Sequence, residues 1–257
     1  MNILLTNDDG IDSEGILKLA EALRSGGKHK VSIVAPDVNR SGVSHALSIF
    51  HNAVKLTCLG EDTWSCTGYP ADCIIAGLNG LLSECPDLIL SGINNGENLG
   101  TDIIYSGTAA AARQGGLAGI PSIALSLAGN APYHWDMAIS WIAGHLEELL
   151  SYWRENTYVN VNIPNSPDGP DGVITSWPAA KTYKDSLTIA PASNGVRYCF
   201  LEAGEDITFA EPGSDCDVVS RNFVSISSVY NYPAVVRELC PGVPDYAAVG
   251  LRSGKRK

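Results

Sequence analysis

Short unbroken apolar runs alternate, along the first two thirds of this chain, with longer stretches whose apolar positions recur three and four apart. Residues 2–6 (N-I-L-L-T) form the first run and read as a buried parallel strand. Asp12 or Ser13 then caps a helix whose apolar face is Ile16, Leu19, Ala20 and Leu23, and Gly26-Gly27 stops it. Residues 31–35 (V-S-I-V-A) give a second strand, closed by Pro36. This β-α-β spacing opens a doubly wound sheet.

The next unit departs from simple alternation. Between residues 46 and 67 the β-rich segments 48–50, 54–57 and 63–66 predict a hairpin excursion. A helix follows over 70–82, with Pro70 in its first turn. Residues 87–91 (D-L-I-L-S) are another buried strand, leading into a glycine-rich loop over 92–100. A small-residue helix is expected over 108–118 and a strand over 120–127. An amphipathic helix spans 133–153, with Ala138, Trp141, Ile142, His145 and Leu149 on its apolar face. Residues 159–163 (V-N-V-N-I) read as the last clear strand of the sheet. After Pro164 the composition turns to Pro, Gly, Asp and Ser, with β-type runs at 172–176, 196–201 and 223–229. The expected fold is therefore α/β: a doubly wound, mostly parallel core over 1–164, then a less regular β-rich portion over 165–257 suited to oligomer contacts. No internal repeat is visible.

Composition narrows the function. With 257 residues, 45% hydrophobic and 18% charged, the chain can bury a sizeable core. No apolar stretch approaches the roughly 18 residues that cross a bilayer, and the start carries no secretory pattern, so a cytoplasmic protein without membrane contact is expected. The formal net charge of -11 argues against a nucleic-acid polymer as partner. The cations Arg252 and Lys255-Arg256-Lys257 read as a solvated tail rather than a binding arm. Seven cysteines without a C-x-x-C pair support neither a disulfide framework nor a structural zinc site. An acidic chain can still hold a small phosphorylated ligand when a metal ion supplies the positive charge.

Three polar clusters follow expected strands: Asn7-Asp8-Asp9-Gly10, Asp37 to Gly42, and Ser91 to Gly96. Parallel sheets bind ligands at such ends. Adjacent carboxylates at Asp8 and Asp9 are costly to place together in a cleft unless a cation neutralises them. A hard divalent ion does so and prefers oxygen donors, which Ser41 and Asn94 add as hydroxyl and amide. The plain alternative is that the acids cap the next helix. Ser106-Gly107-Thr108 opens the small-residue helix, where free N–H groups and the helix dipole suit a phosphate, although an ordinary N-cap looks the same in sequence. P-loop, dinucleotide-binding and G-x-S-x-G motifs are missing, and the contiguous acids differ from the D-x-D of aspartyl-nucleophile phosphatases. His145 reads as a core residue, while His45, near Ser41, is a candidate for a catalytic or substrate role.

Five blocks together resemble the SurE family of survival proteins, metal-dependent 5′/3′-nucleotidases: I-L-L-T-N-D-D-G (3–10), A-P-D-V-N-R-S-G (35–42), T-G-Y-P-A-D-C (67–73), S-G-I-N-N-G-E-N-L-G (91–100) and Y-S-G-T-A-A-A-A (105–112). The resemblance covers about the first 165 residues. It implies a Rossmann-like core and a homodimer or homotetramer. It also implies one divalent ion per subunit, Mg2+ or Mn2+, on Asp8, Asp9, Ser41 and Asn94. Hydrolysis of nucleoside monophosphates follows, with Asn98, Ser106, Gly107 and Thr108 lining the phosphate site and Asp9 or His45 handling the proton. Some family members act on short polyphosphate, so other phosphate esters or polyphosphate remain alternative substrates, as does nucleotide binding without turnover. Glu97 stands where the family usually carries proline, and residues beyond about 165 match no motif of it.

Overall fold

The computed structural model describes residues 1–49 and 53–233. Its main sheet starts from β1 (Asn2–Thr6), β2 (Lys30–Pro36), β3 (Leu56–Gly60) and β4 (Thr63–Cys66). It continues through β5 (Leu88–Asn95), β6 (Ser122–Ala128), β7 (Thr157–Pro164) and β8 (Val173–Thr175). A separate two-stranded ribbon pairs β9 (Tyr183–Pro191) with β10 (Arg197–Asp206), and β11 (Val224–Tyr230) returns to the main sheet. The nine-stranded order is β3-β4-β2-β1-β5-β6-β7-β11-β8. Strands β4, β2, β1, β5, β6 and β7 run parallel.

Helices cover both faces, which is why the central strands are apolar without alternation. On one face α1 (Glu14–Ser25) and α4 (Trp135–Ser151) bury Ile16, Leu19, Ile142 and Leu149 against Leu5, Ile33, Leu90 and Leu125. On the other, α2 (Pro70–Ala76) and α3 (Gly107–Leu117) cover Leu4, Val34 and Ile89. Each such aliphatic side chain contributes ~1.5–3 kcal/mol by leaving water. The six-residue α5 (Asp215–Ser220) packs beside β11 and β7.

Several expectations need correction. The hairpin β3–β4 is no excursion: β4 pairs with β2, so it extends the sheet at one edge. Ser48 and Ile49 lie outside any strand, and Phe50 falls outside the described residues. The helix over 70–82 ends at Ala76 and gives way to a distorted turn, because Asn79 and Gly80 leave helical angles. Residues 92–95 belong to β5: after a register shift between Ser91 and Asn94, Asn94 and Asn95 still pair with Ser126 and Leu127. Glycine and asparagine are depleted in strands, so their run reads as loop. On α4 the buried stripe is Trp135, Ala138, Ile139, Ile142, Leu146 and Leu149. Trp141 and His145 stack at 4.3 Å at its half-buried rim.

Residues 159–163 are not the end of the sheet. β11 pairs antiparallel with β7, and β8 pairs with β11, so segments beyond residue 164 complete it. The basic terminal residues and Cys240 lie outside the described residues.

Candidate active site

From β1 the chain steps outward to β2 and β4 on one side, and later through β5, β6 and β7 on the other. The direction of winding therefore switches between β1 and β5, and their carboxyl ends splay to leave a crevice, as doubly wound sheets do. The polar residues that end β1 and β5 meet there.

Asn7 shapes the turn after β1. Its side-chain amide donates to the Gly10 carbonyl at 2.8 Å and to the Ser13 hydroxyl at 2.6 Å, while its Oδ1 accepts from the Gly10 N–H at 3.2 Å. Gly10 sits at φ +105°, and a side chain there would press on the backbone of Val38 at 3.2 Å. The turn thus lies flat against the loop after β2, where the Arg40 N–H donates to the Asp8 carbonyl at 2.6 Å.

Asp8, 3% exposed, faces the start of α3. The Thr108 hydroxyl donates to its Oδ1 and lies 3.4 Å from Asn94 Oδ1. Gly107 makes this approach possible: a Cβ on it would stand 2.7 Å from Asp8 Cβ. Asn94 gives its amide N–H to the Gly96 carbonyl at 2.9 Å, which turns its oxygen toward the acids. Asp9 Oδ2 accepts the Asn95 N–H at 3.0 Å, and its Oδ1 lies 3.5 Å from the Asn39 amide. Asp8, Asp9, Asn94 and Thr108 are thereby gathered at one point.

Ser41 is exposed on the β2 loop, and its own N–H is tied to Asn39 Oδ1 at 2.8 Å. Ser106 is the N-cap of α3, its hydroxyl accepting the Ala109 N–H at 3.0 Å and keeping its own proton to donate. Asn98 lies deeper. Its amide donates to Ser126 at 2.8 Å, and its backbone is clasped by Asn160 and Asn162. His45 stands apart from the acids, bonded at 3.0 Å to Gln114 two turns along α3, and burial lowers its pKa. Glu97, the unusual acid of its segment, is exposed and holds the Gly129 N–H at 3.1 Å.

The electrostatics mark the site. Burial pushes the Asp8 carboxyl above its ordinary range, and the Thr108 hydroxyl and the amides at the start of α3 offset only part. Burial also drives Asp9 up to about 6, with the Asn95 N–H pulling down and the Asp8 charge pushing up. Among the described residues no ion pair reaches either acid. A buried and a half-buried carboxylate with an amide oxygen beside them and no ion-paired cation are a donor set that fits a hard divalent ion. The donors gathered here are oxygens, the kind a hard ion prefers.

That burial has a measurable sign. In metal-free protein Asp9 holds its proton to about pH 6 when folded, against an ordinary value of 3.8. The folded form binds more protons between those values, so stability falls as pH rises through that window. Compared with Asp9→Asn, the chelator-treated chain is expected to lose melting temperature across it, and a divalent cation to restore it above about pH 6. A difference that stays constant with pH would contradict the burial of this carboxylate.

The Survival protein SurE family matches residues 3–185. The chain belongs to the SurE family. A curated relative from Synechococcus sp., named 5′-nucleotidase SurE, is 39% identical over 238 residues, covering 88% of this chain and 90% of its own. Another of the same name from Geobacter sulfurreducens is 39% identical over 236 residues, covering 90% and 88%. The crystal structure of the SurE protein from Aquifex aeolicus superposes with a TM-score of 0.80 at 35% identity, covering 93% of this chain and 99% of that one. SurE similarity therefore runs well past residue 165, although no local motif marks it there.

Several residues that build this SurE site escaped sequence reasoning. Asn160 and Asn162 sit on a buried strand, 1% and 0% exposed, and hold the loop that carries Asn98. Two asparagines with period two inside an otherwise apolar strand were the available signal. Asp215 is fully buried and takes the N–H groups of Gly100 and Ala179 at 2.7 and 2.9 Å. Nothing around it in sequence distinguishes it from the other acids of its segment.

Proposed function

We propose that this chain is a divalent-metal-dependent phosphomonoesterase that converts nucleoside 5′-monophosphates, and 3′-monophosphates alongside them, to nucleoside and inorganic phosphate. The observation that carries the reading is the pair of buried Asp8 and half-buried Asp9, without a cationic partner among the described residues, at the switch point, with Asp8 against the start of α3. The names of the curated relatives point the same way.

Asp8, Asp9 and Asn94 would hold one ion, Mg2+ or Mn2+, with Ser41 joining them from the β2 loop. When bound, the ion supplies positive charge to a phosphate oxygen and makes water a better nucleophile. The protein supplies the remainder. Backbone N–H groups at the start of α3, with the Ser106 and Thr108 hydroxyls, receive the other phosphate oxygens where the helix dipole favours negative charge. Asn98 keeps one amide proton on Ser126 and has a second to offer. The proton of the attacking water would pass to Asp9 or to His45, and Asp9 has one oxygen, Oδ2, already held by the Asn95 N–H. His45 is less suited, being tied to Gln114.

We further propose that the chain works as a homodimer or homotetramer in the cytoplasm. Support for assembly comes from the β9–β10 ribbon, whose two faces are both apolar and open to water. Paired Leu187 and Leu201 lie on one, and Tyr198 and Phe200 on the other, at 50%, 85%, 61% and 57% exposure. A two-stranded ribbon is marginal alone, so another chain over it is the natural cover. The odd cysteine set without C-x-x-C supports a reducing compartment, and among the described residues no helix is long and apolar enough to cross a membrane.

The test is phosphate release from a panel of 5′- and 3′-mononucleotides, short polyphosphate and simple phosphate esters, with Mn2+, Mg2+ or chelator. The same sample is run through light scattering, and its cellular fraction is assayed. Metal-dependent release from mononucleotides and a mass above one 27.2 kDa chain are expected. Release from polyphosphate alone would redirect the substrate, and nucleotide binding without release would make this a binding protein.

A further inference from the structure

We propose that Lys181 is a positioning residue for the phosphate-receiving start of α3, acting through Asp102. The proposal rests on the phosphomonoesterase reading above.

Lys181 lies between β8 and β9, and its side chain is 5% exposed. Its ammonium stands 2.8 Å from Asp102 Oδ2 and 3.4 Å from Asp206 Oδ2. The Tyr183 hydroxyl donates to the same Asp102 carboxylate at 2.7 and 2.8 Å. Asp102 sits in the tight turn Gly100–Ile104 that leads into α3. That turn is fastened to the segment before β9 at two more points. Thr101 donates to the Lys181 carbonyl at 2.9 Å, and Asp215 bridges the N–H groups of Gly100 and Ala179.

What Asp102 holds in turn is the site. Its carbonyl accepts the N–H of Tyr105 at 2.9 Å and of Ser106 at 3.1 Å. The next carbonyls, of Ile104 and Tyr105, take the Ser44 hydroxyl at 2.7 Å and the Ser44 N–H at 2.8 Å. One turn therefore sets both the N-cap of α3 and the loop that bears Ser41. Lys181 clamps that turn from a segment 79 residues away in sequence.

The clamp also matters for charge. Asp102 lies four positions before Ser106, where a dianionic phosphate is received. Lys181, nearer to Asp102 than to Asp206, offsets most of that carboxylate's charge and leaves the three-group cluster with one net negative charge. Without Lys181 Asp102 adds negative charge beside the ligand, a long-range effect that salt screens. A strut that merely stabilised the fold would not give a loss of substrate affinity that shrinks as salt rises.

The experiment compares full-length wild type, Lys181→Met, Lys181→Arg and Tyr183→Phe in phosphate release, inhibition by inorganic phosphate, and thermal melting, at low and high salt. Lys181→Met is expected to lower kcat/KM about tenfold, chiefly through KM, and to weaken phosphate inhibition by a similar factor. Both deficits should shrink at high salt. Lys181→Arg, which keeps the charge, should stay within about twofold of wild type. Tyr183→Phe retains the lysine and should fall between them, so it carries the comparison should the Met variant fail to fold. Wild-type KM and phosphate inhibition in Lys181→Met or Tyr183→Phe, with only a lower melting temperature, would overturn the proposal and leave a structural strut. Wild type that releases no phosphate from any substrate would instead overturn the phosphomonoesterase reading, and the positioning role with it.

Discussion

Asp8→Asn is expected to cut phosphate release by about a thousandfold or more, ~4 kcal/mol of transition-state stabilisation at 1.36 kcal/mol per factor of ten. The substitution keeps the shape of the side chain and leaves an oxygen for the Thr108 hydroxyl. It removes the negative charge that would bind the ion. Because Asp8 is buried and its carboxyl is already pushed toward the neutral form, the neutral amide costs the fold little. The metal-free melting temperature should accordingly hold or rise, while the stabilisation by added Mn2+ disappears. Phosphate release and a melting curve on one sample check both halves. A folded variant with full turnover would show that the acids at the end of β1 do not carry the chemistry.

Gly107→Ala is the second large effect, and two contributions oppose each other in it. Alanine is the better helix former, by up to ~1 kcal/mol. Against this, the added Cβ would stand 2.7 Å from Asp8 Cβ and 2.8 Å from its Oδ2, closer than carbon atoms tolerate. Overpacking of that kind costs ~1–3 kcal/mol, and although Oδ2 is a side-chain tip, the Asp8 Cβ contact cannot be relieved without moving backbone. Packing wins. Either the start of α3 backs away from the crevice or Asp8 turns out of place. Displacements near 1 Å in a positioned site cost ~100-fold in rate. The expected variant is thus less stable and about a hundredfold slower in kcat/KM. A variant as active as wild type and more stable would mean that α3 and Asp8 do not need this close approach.

Much of the candidate site could be read from local pattern. Asp8 and Asp9 come two and three residues after a short apolar strand, the place where parallel sheets present ligand-binding groups. Asn94 and the Ser106-Gly107-Thr108 entry to a helix were legible in the same way. The loop over 92–100 was less so. Its glycines and asparagines argue for coil, yet neighbouring β6 supplies hydrogen-bond partners that keep residues 94 and 95 in the sheet. On α4 the expected and observed faces share Ala138, Ile142 and Leu149, and the stripe that packs on α1 and the sheet takes Ile139 and Leu146 in place of Trp141 and His145.

Local pattern carried the alternation of strands and helices, the acid pair after the first strand, and Asn94 and Thr108 beside it. Those follow from residue-by-residue preferences and from periods of two and 3.6, which act over a few neighbours. The tertiary structure alone decided the strand order that opens the crevice between β1 and β5, and the return of β11 and β8 to the sheet. It also decided the clasp of Asn98 by Asn160 and Asn162, and the bond between Lys181 and Asp102. Contacts between residues 60 to 80 positions apart, such as these last three, leave no local signature. They form only when closing the chain around one core brings the partners within hydrogen-bond reach.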